Sequence, residues 1–162
     1  MNPAEPNTLS IREVAPDDSA AVARLSGELG YPQSVETIRA SIEALSRRTD
    51  HPVFVARLSG EVAGWIEVSL THHLVAEMRT EIGGLVVAST VRSRGIGGQL
   101  VAQAELLAVA RGVNIILVRS RIAREDAHRF YRSAGYAHIK TSAVFTKKID
   151  DSGANSPTAV SE

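Results

Sequence analysis

The chain has 162 residues, 44% hydrophobic and 22% charged, with 18 basic residues balanced by 18 acidic ones. That length can bury a core as one domain, and the charge balance lacks the basic excess of nucleic-acid binders. With no cysteine, no membrane-length apolar run and no secretory leader in MNPAEPNTLS, disulfides, thiolate metal sites and cysteine nucleophiles are excluded. A cytoplasmic protein is expected, with neither a nucleic-acid nor a membrane partner.

Residues 1–8 read as a flexible N-terminal tail and 150–162, small and polar, as a disordered C-terminal one. A single folded domain is expected over 9–149. LSIREV alternates apolar and polar residues and predicts a first strand. A helix follows, capped by Asp17 or Asp18, burying Ala21, Val22, Leu25 and Leu29 and ending at Gly30. Ser34 opens a second helix with Val35, Ile38, Ile42 and Leu45 as its buried stripe. HPVFVARLSGEVAGWIEVSL predicts an antiparallel hairpin turning at Ser59-Gly60. RTEIGGLVVAS has the even hydrophobicity of a central strand, and Gly83-Gly84 within it suggest a bulge. GIGGQLVAQAELLAVARG keeps helical spacing up to a cap at Gly112. VNIILVRS then reads as a buried strand, REDAHRFYRSAGY as a helix ending at Gly135, and AHIKTSAVFTKKI as one or two closing strands. The order begins antiparallel and passes into strand–helix–strand units. It implies an α/β fold with a mixed sheet of α+β type and helices on both faces.

VRSRGIGGQL, the densest glycine stretch, lies between the central strand and the third helix. A Walker loop requires Lys and Ser/Thr after its last glycine, where this chain has Gln99 and Leu100. A dinucleotide fingerprint requires a glycine at Leu100 and an acidic residue about 20 positions on, and both are missing. Two readings remain. The bare first amides of a helix, at the positive end of its dipole and rimmed by Arg92 and Arg94, form an anion seat. Alternatively, the glycines only turn the chain and pack the helix.

Arg92-Ser93-Arg94-Gly95-Ile96-Gly97 resembles the Arg/Gln-x-x-Gly-x-Gly/Ala signature of the GNAT superfamily of acetyl-CoA-dependent N-acetyltransferases. EIGGLVVASTVRSRGIGGQL is similar to that family's central strand, loop and helix, and AREDAHRFYRSAGY to its later tyrosine helix. The resemblance implies a GNAT-like acyl-CoA N-acyltransferase fold and direct transfer of acetyl from acetyl-CoA to an amine acceptor through a ternary complex. The acceptor is expected to be a small molecule rather than a protein. No metal is implied. The pyrophosphate would rest on Arg92, Ser93, Arg94, Gly95, Ile96, Gly97 and Gly98, with Gln99 at the edge. The pantetheine arm would follow the main chain of Leu85, Val86 and Val87. Tyr131 would protonate the departing thiolate. Arg124 stands where many relatives carry asparagine and could reach a CoA phosphate.

Glu81 is the first choice for the base that deprotonates the amine, because strand period puts it on the face of Leu85, four residues on. Glu77, His72 and His73 are weaker choices. Glu28, Tyr31 and Gln33, between the first two helices, could face the acceptor. The alternative to an enzyme is a non-catalytic acyl-CoA sensor or interaction module, which would need neither Tyr131 nor Glu81. A homodimer is plausible through strands near SAVFTKKI.

Overall fold

The structure, a computed structural model, describes residues 7–149. The expected tail at 150–162 and most of that at 1–8 lie outside the described residues. Contacts divide the chain into two compact units between Arg119 and Ser120.

The first unit is built on five strands: β1 (Leu9–Glu13), β2 (Val53–Leu58), β3 (Glu61–His73), β4 (Ala76–Val87) and β5 (Ile116–Val118). They lie in that order across the sheet. Pairings β1–β2, β2–β3 and β3–β4 are antiparallel, and β4–β5 is parallel. The β2–β3 turn is where the sequence places it. Ser59 (φ 51°) and Gly60 (φ 88°) both take positive φ, the geometry that matches the twist of a two-residue hairpin.

Helices α1 (Ser19–Leu29) and α2 (Val35–Leu45) precede β2, and α3 (Ile96–Ala110) crosses from β4 to β5. On one face of the sheet, Val22 and Leu25 of α1 pack with Val55, Trp65 and Val86. Helix α2 lies against α1, and its Ile38 joins the edge of that core. On the other face α3 buries Ile96, Leu100 and Ala104. A Cβ on Gly64 would come 3.2 Å from Leu100 Cδ1 and 2.7 Å from the Val86 carbonyl, so α3 sits close because Gly64 lacks a side chain.

Ser34 caps α2 as expected, its hydroxyl accepting from Thr37 N at 3.1 Å. The α2 stripe is shallower than its spacing suggests: only Ile42 is buried and Val35 is exposed, because the helix covers α1 rather than the sheet. Asp18 does not cap α1 through its side chain. It accepts from Ala15 N at 2.8 Å and pairs with Arg12 of β1 at 2.7 and 2.9 Å. The Arg12 hydrogen bond holds the Asp18 carboxyl below the usual carboxylate range, against the opposing effect of burial and with help from the Ala15 amide.

Asp18 is buried, so Asp18→Asn, which leaves Arg12 without its charge, should destabilise the protein by about 2 kcal/mol at pH 7. The folded pKa is depressed, so this stability is present above the unfolded value of about 3.9 and lost as pH falls through the folded one. Denaturant unfolding at pH 7 and in acid should show the gap between wild type and variant closing in acid.

The second unit holds α4 (Glu125–Ser133). The closing strands expected from AHIKTSAVFTKKI are not observed: residues 137–149 form neither strand nor helix, and Val144 and Phe145 are exposed. Alternation supplies a face for a strand, but a strand also requires partners for its backbone N–H and C=O groups.

Candidate active site

The site begins with an irregularity in β4. Glu67 pairs with Gly84 and Val68 with Ile82, so Gly83 is an extra residue in β4, bulged against β3. The pair Gly83-Gly84 marks that bulge as the sequence suggests. A Cβ on Gly84 would lie 2.8 Å from two carbons of the Trp65 ring, so the indole occupies the side-chain space of residue 84.

The bulge also ends a partnership. Strand β5 pairs with β4 only at Thr80, Glu81 and Ile82. Past that point Leu85, Val86 and Val87 keep β3 on one side and have no β5 pairing on the other. Gly83, in an inner strand, is solvent-exposed.

One expectation is overturned here. Glu81 and Leu85 do not share a face. Glu81 pairs with Ser69 and Leu85 with Ile66, three residues apart on a strand whose side chains alternate. The extra residue reverses the parity of β4. Leu85 and Val87 therefore face α3, whereas Glu81 faces the side covered by α1 and α2. Its carboxylate, one-fifth exposed, accepts from Arg119 Nε at 2.9 Å, just past β5.

Two residues from Glu81's cross-strand partner, on the same face, is Glu67, a carboxylate that sequence reasoning missed. Its Oε1 lies 2.6 Å from His51 Nε2, and the carboxyl is 3.5 Å from where a Gly83 side chain would begin. His51 precedes β2 in a bend, and the Asp50 and Pro52 carbonyls on either side of it accept from Leu70 N and Val68 N. No local spacing signals this pair, because the two residues are joined only by strand register. His72, His73 and Glu77 are exposed near the β3–β4 hairpin tip.

After β4, Ser89–Val91 make a single 3-10 turn. Glu28 of α1, considered above for the acceptor side, instead accepts from Ser89 N at 2.9 Å, tying α1 to the start of the loop. Tyr31 and Gln33 are exposed. Arg92 donates through Nε to the Val87 carbonyl at 3.3 Å, while Arg94 is exposed. Ser93 (φ 63°) and Gly95 (φ 77°) are both left-handed, and Gly95 is the N-cap of α3. The bond from Gln99 N to the Gly95 carbonyl, 3.0 Å, opens the helix ladder. The amides of Ile96, Gly97 and Gly98 come before it and have no partner within the helix. A Cβ on Gly98 would meet nothing within 4 Å. The loop thus presents bare amides, open space and the positive end of a 15-residue helix, the features required for an anion.

In the second unit, α4 begins at Glu125 after Arg124, whose carbonyl accepts from His128 N. It ends with Gly135 at φ 91° and Tyr136 N bonded to the Tyr131 carbonyl at 2.9 Å. The Tyr131 ring is half-buried between Phe130 and Tyr136, edge to face with each at 5.2 and 5.6 Å. Burial pushes its phenol above the ordinary value, and the charge of Arg124 opposes that shift. Phe130 is half-buried like Tyr131, so the two divide the burial between them.

Residues 19–136 match the model of the Acetyltransferase (GNAT) family. The chain belongs to the GNAT acetyltransferase family. A curated relative, the aminoalkylphosphonate N-acetyltransferase of Salmonella typhimurium, is 41% identical over 98 residues, covering 59% of this GNAT chain and 61% of the relative. Among solved structures, aminoglycoside N-acetyltransferase AAC(6')-Iy in complex with CoA superposes with a TM-score of 0.80 at 16% identity, over 90% of this chain and 98% of that one. A transcriptional regulator from Bacillus halodurans C-125 gives 0.75 at 25% identity, over 85% and 100%. The GNAT fold expected from the sequence, a mixed sheet flanked by helices, is the fold observed. Among the described residues no group of three or more His, Cys, Asp or Glu is placed to hold a metal ion. No described helix is long and apolar enough to cross a membrane.

Proposed function

We propose that this GNAT protein transfers acetyl from acetyl-CoA directly to the amine of a small molecule. The observation that carries the reading is the pairing of an open helix N-terminus at Gly95–Gly98 with a β4 edge that β5 leaves unpaired beyond Ile82. The first suits a pyrophosphate. The second leaves main-chain groups of Leu85, Val86 and Val87 for an extended amide-bearing arm to bond, as an added strand would. Acetyl-CoA, when bound, supplies the activated acetyl thioester.

The chain's own residues divide the remaining work. Ser93, Arg94, Gly95, Ile96, Gly97, Gly98 and Gln99 seat the pyrophosphate. Arg92 completes the rim while holding the Val87 carbonyl. A backbone N–H near Val87 polarises the acetyl carbonyl. Tyr131 keeps its proton at neutral pH and can give it to the thiolate, and Arg124 offers a charge for a CoA phosphate. Glu81, on the α1–α2 face, supplies a carboxylate to draw in an ammonium, with Arg119 as its counter-ion.

A small acceptor agrees with the relatives, one named for aminoalkylphosphonates and several for aminoglycosides. The β4 residues facing α1 and α2 include Arg79 and Glu81, a mixed-sign surface that suits a zwitterion better than a polycation. The deciding experiment measures acetyl-CoA binding by calorimetry and CoA release with 1-aminoethylphosphonate and neamine. Binding with release, faster for the aminophosphonate, is expected. Binding without release from any amine would favour a sensor, and absence of binding would remove the reading.

A further inference from the structure

We propose that Glu67, held by His51, is the group that takes the proton from the incoming amine; this rests on the acetyl-transfer reading. Three observations converge on it. The Glu67 carboxyl lies against Gly83, the exposed bulge residue at which β4 and β5 part. No side chain at 83 covers it from that direction, so a molecule entering the gap meets this carboxylate. It also stands on the α1–α2 face, opposite the face of Leu85, Val87 and α3. Finally, His51 Nε2 is within 2.6 Å of Oε1. That holds Oε1, the carboxylate oxygen nearest Gly83, through one lone pair and leaves the other for substrate, with an imidazole about one-fifth exposed behind it as the outlet to water.

Glu81 is a diagonal neighbour on the same face, but its Oε1 is joined to the fixed charge of Arg119, so the two carboxylates divide their tasks. Glu81 with Arg119 sets the charge beside the gap, and Glu67 with His51 exchanges the proton. The ammonium gives a proton to Glu67, and its nitrogen then forms the C–N bond as the C–S bond breaks. The thiolate carries off the sulfur electron pair and is protonated from Tyr131. The second nitrogen proton is lost to solvent, and the phenolate regains one from solvent. One proton in total leaves, from Glu67 by way of His51, and the products are an N-acetyl amide and CoA thiol.

Other charged groups lie on the elements around the pair. Arg79 and Glu81 lie on β4. Asp50 beside His51 is paired with Arg48. On α1, Arg24 bonds the Val62 carbonyl and Glu28 bonds Ser89 N. On α2, Arg39 reaches Asp17, and Glu36 and Glu43 are exposed.

His51 is a positioning residue: its ring nitrogen holds the Glu67 carboxylate toward the gap. The test is the pH profile of kcat/KM for CoA release with 1-aminoethylphosphonate and with neamine, in wild type, Glu67→Gln, His51→Ala and Glu81→Gln, alongside acetyl-CoA calorimetry. Glu67→Gln should lose about 100-fold or more in kcat/KM, bind acetyl-CoA as wild type does, and lose the acid limb of the profile. His51→Ala should keep that limb and lose about 10-fold in kcat with KM little changed, and His51→Gln, whose amide can bond the same oxygen, should recover part of the loss. A Glu67→Gln enzyme that retains both rate and limb overturns the proposal, as does a limb that disappears in Glu81→Gln instead. If wild type releases CoA with neither amine, the transfer reading itself fails and this inference with it.

Discussion

Gly98→Glu should weaken acetyl-CoA binding by about 100-fold or more, roughly 2.7 kcal/mol, while leaving the protein folded. Gly98 is the third residue of α3, and a side chain there points into open space. A carboxylate in a first helical turn is favoured by the helix dipole by about 0.3–1 kcal/mol, and glycine is a poor helix former. The melting temperature should therefore hold or rise. The same carboxylate would occupy the volume proposed for the pyrophosphate and repel its charge. Calorimetry and thermal unfolding on one sample separate the two effects, with Gly98→Ala as a milder control. Undiminished affinity in Gly98→Glu would show that the glycines of this loop only turn and pack the chain.

Tyr131→Phe should lower kcat by about 100- to 1,000-fold with acetyl-CoA affinity nearly unchanged. The ring packs edge to face with Phe130 and Tyr136, and a phenylalanine retains those contacts, so lost turnover would report on the hydroxyl. Burial raises the phenol above its usual value of about 10, so Tyr131 stays protonated through neutral and mildly alkaline solution. The wild-type rate should show no alkaline limb from this group below about pH 10. Up to the unfolded pKa the phenol's contribution to stability is intact, and it is lost as pH rises through the folded one. Wild type should lose stability in strong alkali, and Tyr131→Phe should escape that part of the loss. Full turnover in the variant would assign the proton to another donor.

Glycine placement made much of the fold legible. Gly30, Gly112 and Gly135 end their helices in the left-handed region. In each case the next residue's N–H bonds a carbonyl five residues back: Tyr31 to Ser26, Val113 to Ala108, Tyr136 to Tyr131. Such caps depend on one residue type at one position, so they can be read locally. The Ser34 cap, the Ser59-Gly60 turn and the bare start of α3 are local in the same way. Strand period is interrupted in β4. Counting by two along β4 put Glu81 beside Leu85, and the extra residue at Gly83 reversed that. Alternation in residues 137–149 suggested strands, yet a strand also needs a partner.

By itself, then, the sequence determined the helices with the Ser34 and glycine caps, the hairpin, the glycine loop at a helix N-terminus and the family to which these belong. Each is set by residues within a few positions of one another. Only the tertiary structure decided which carboxylate faces the gap between β4 and β5, that Arg119 holds Glu81, that His51 holds Glu67 and that Asp18 serves Arg12 rather than α1. These pairs are brought together by strand register, chain crossover and a one-residue bulge. A side chain's partner across a sheet depends on every residue of offset between the strands, and no local spacing records that offset.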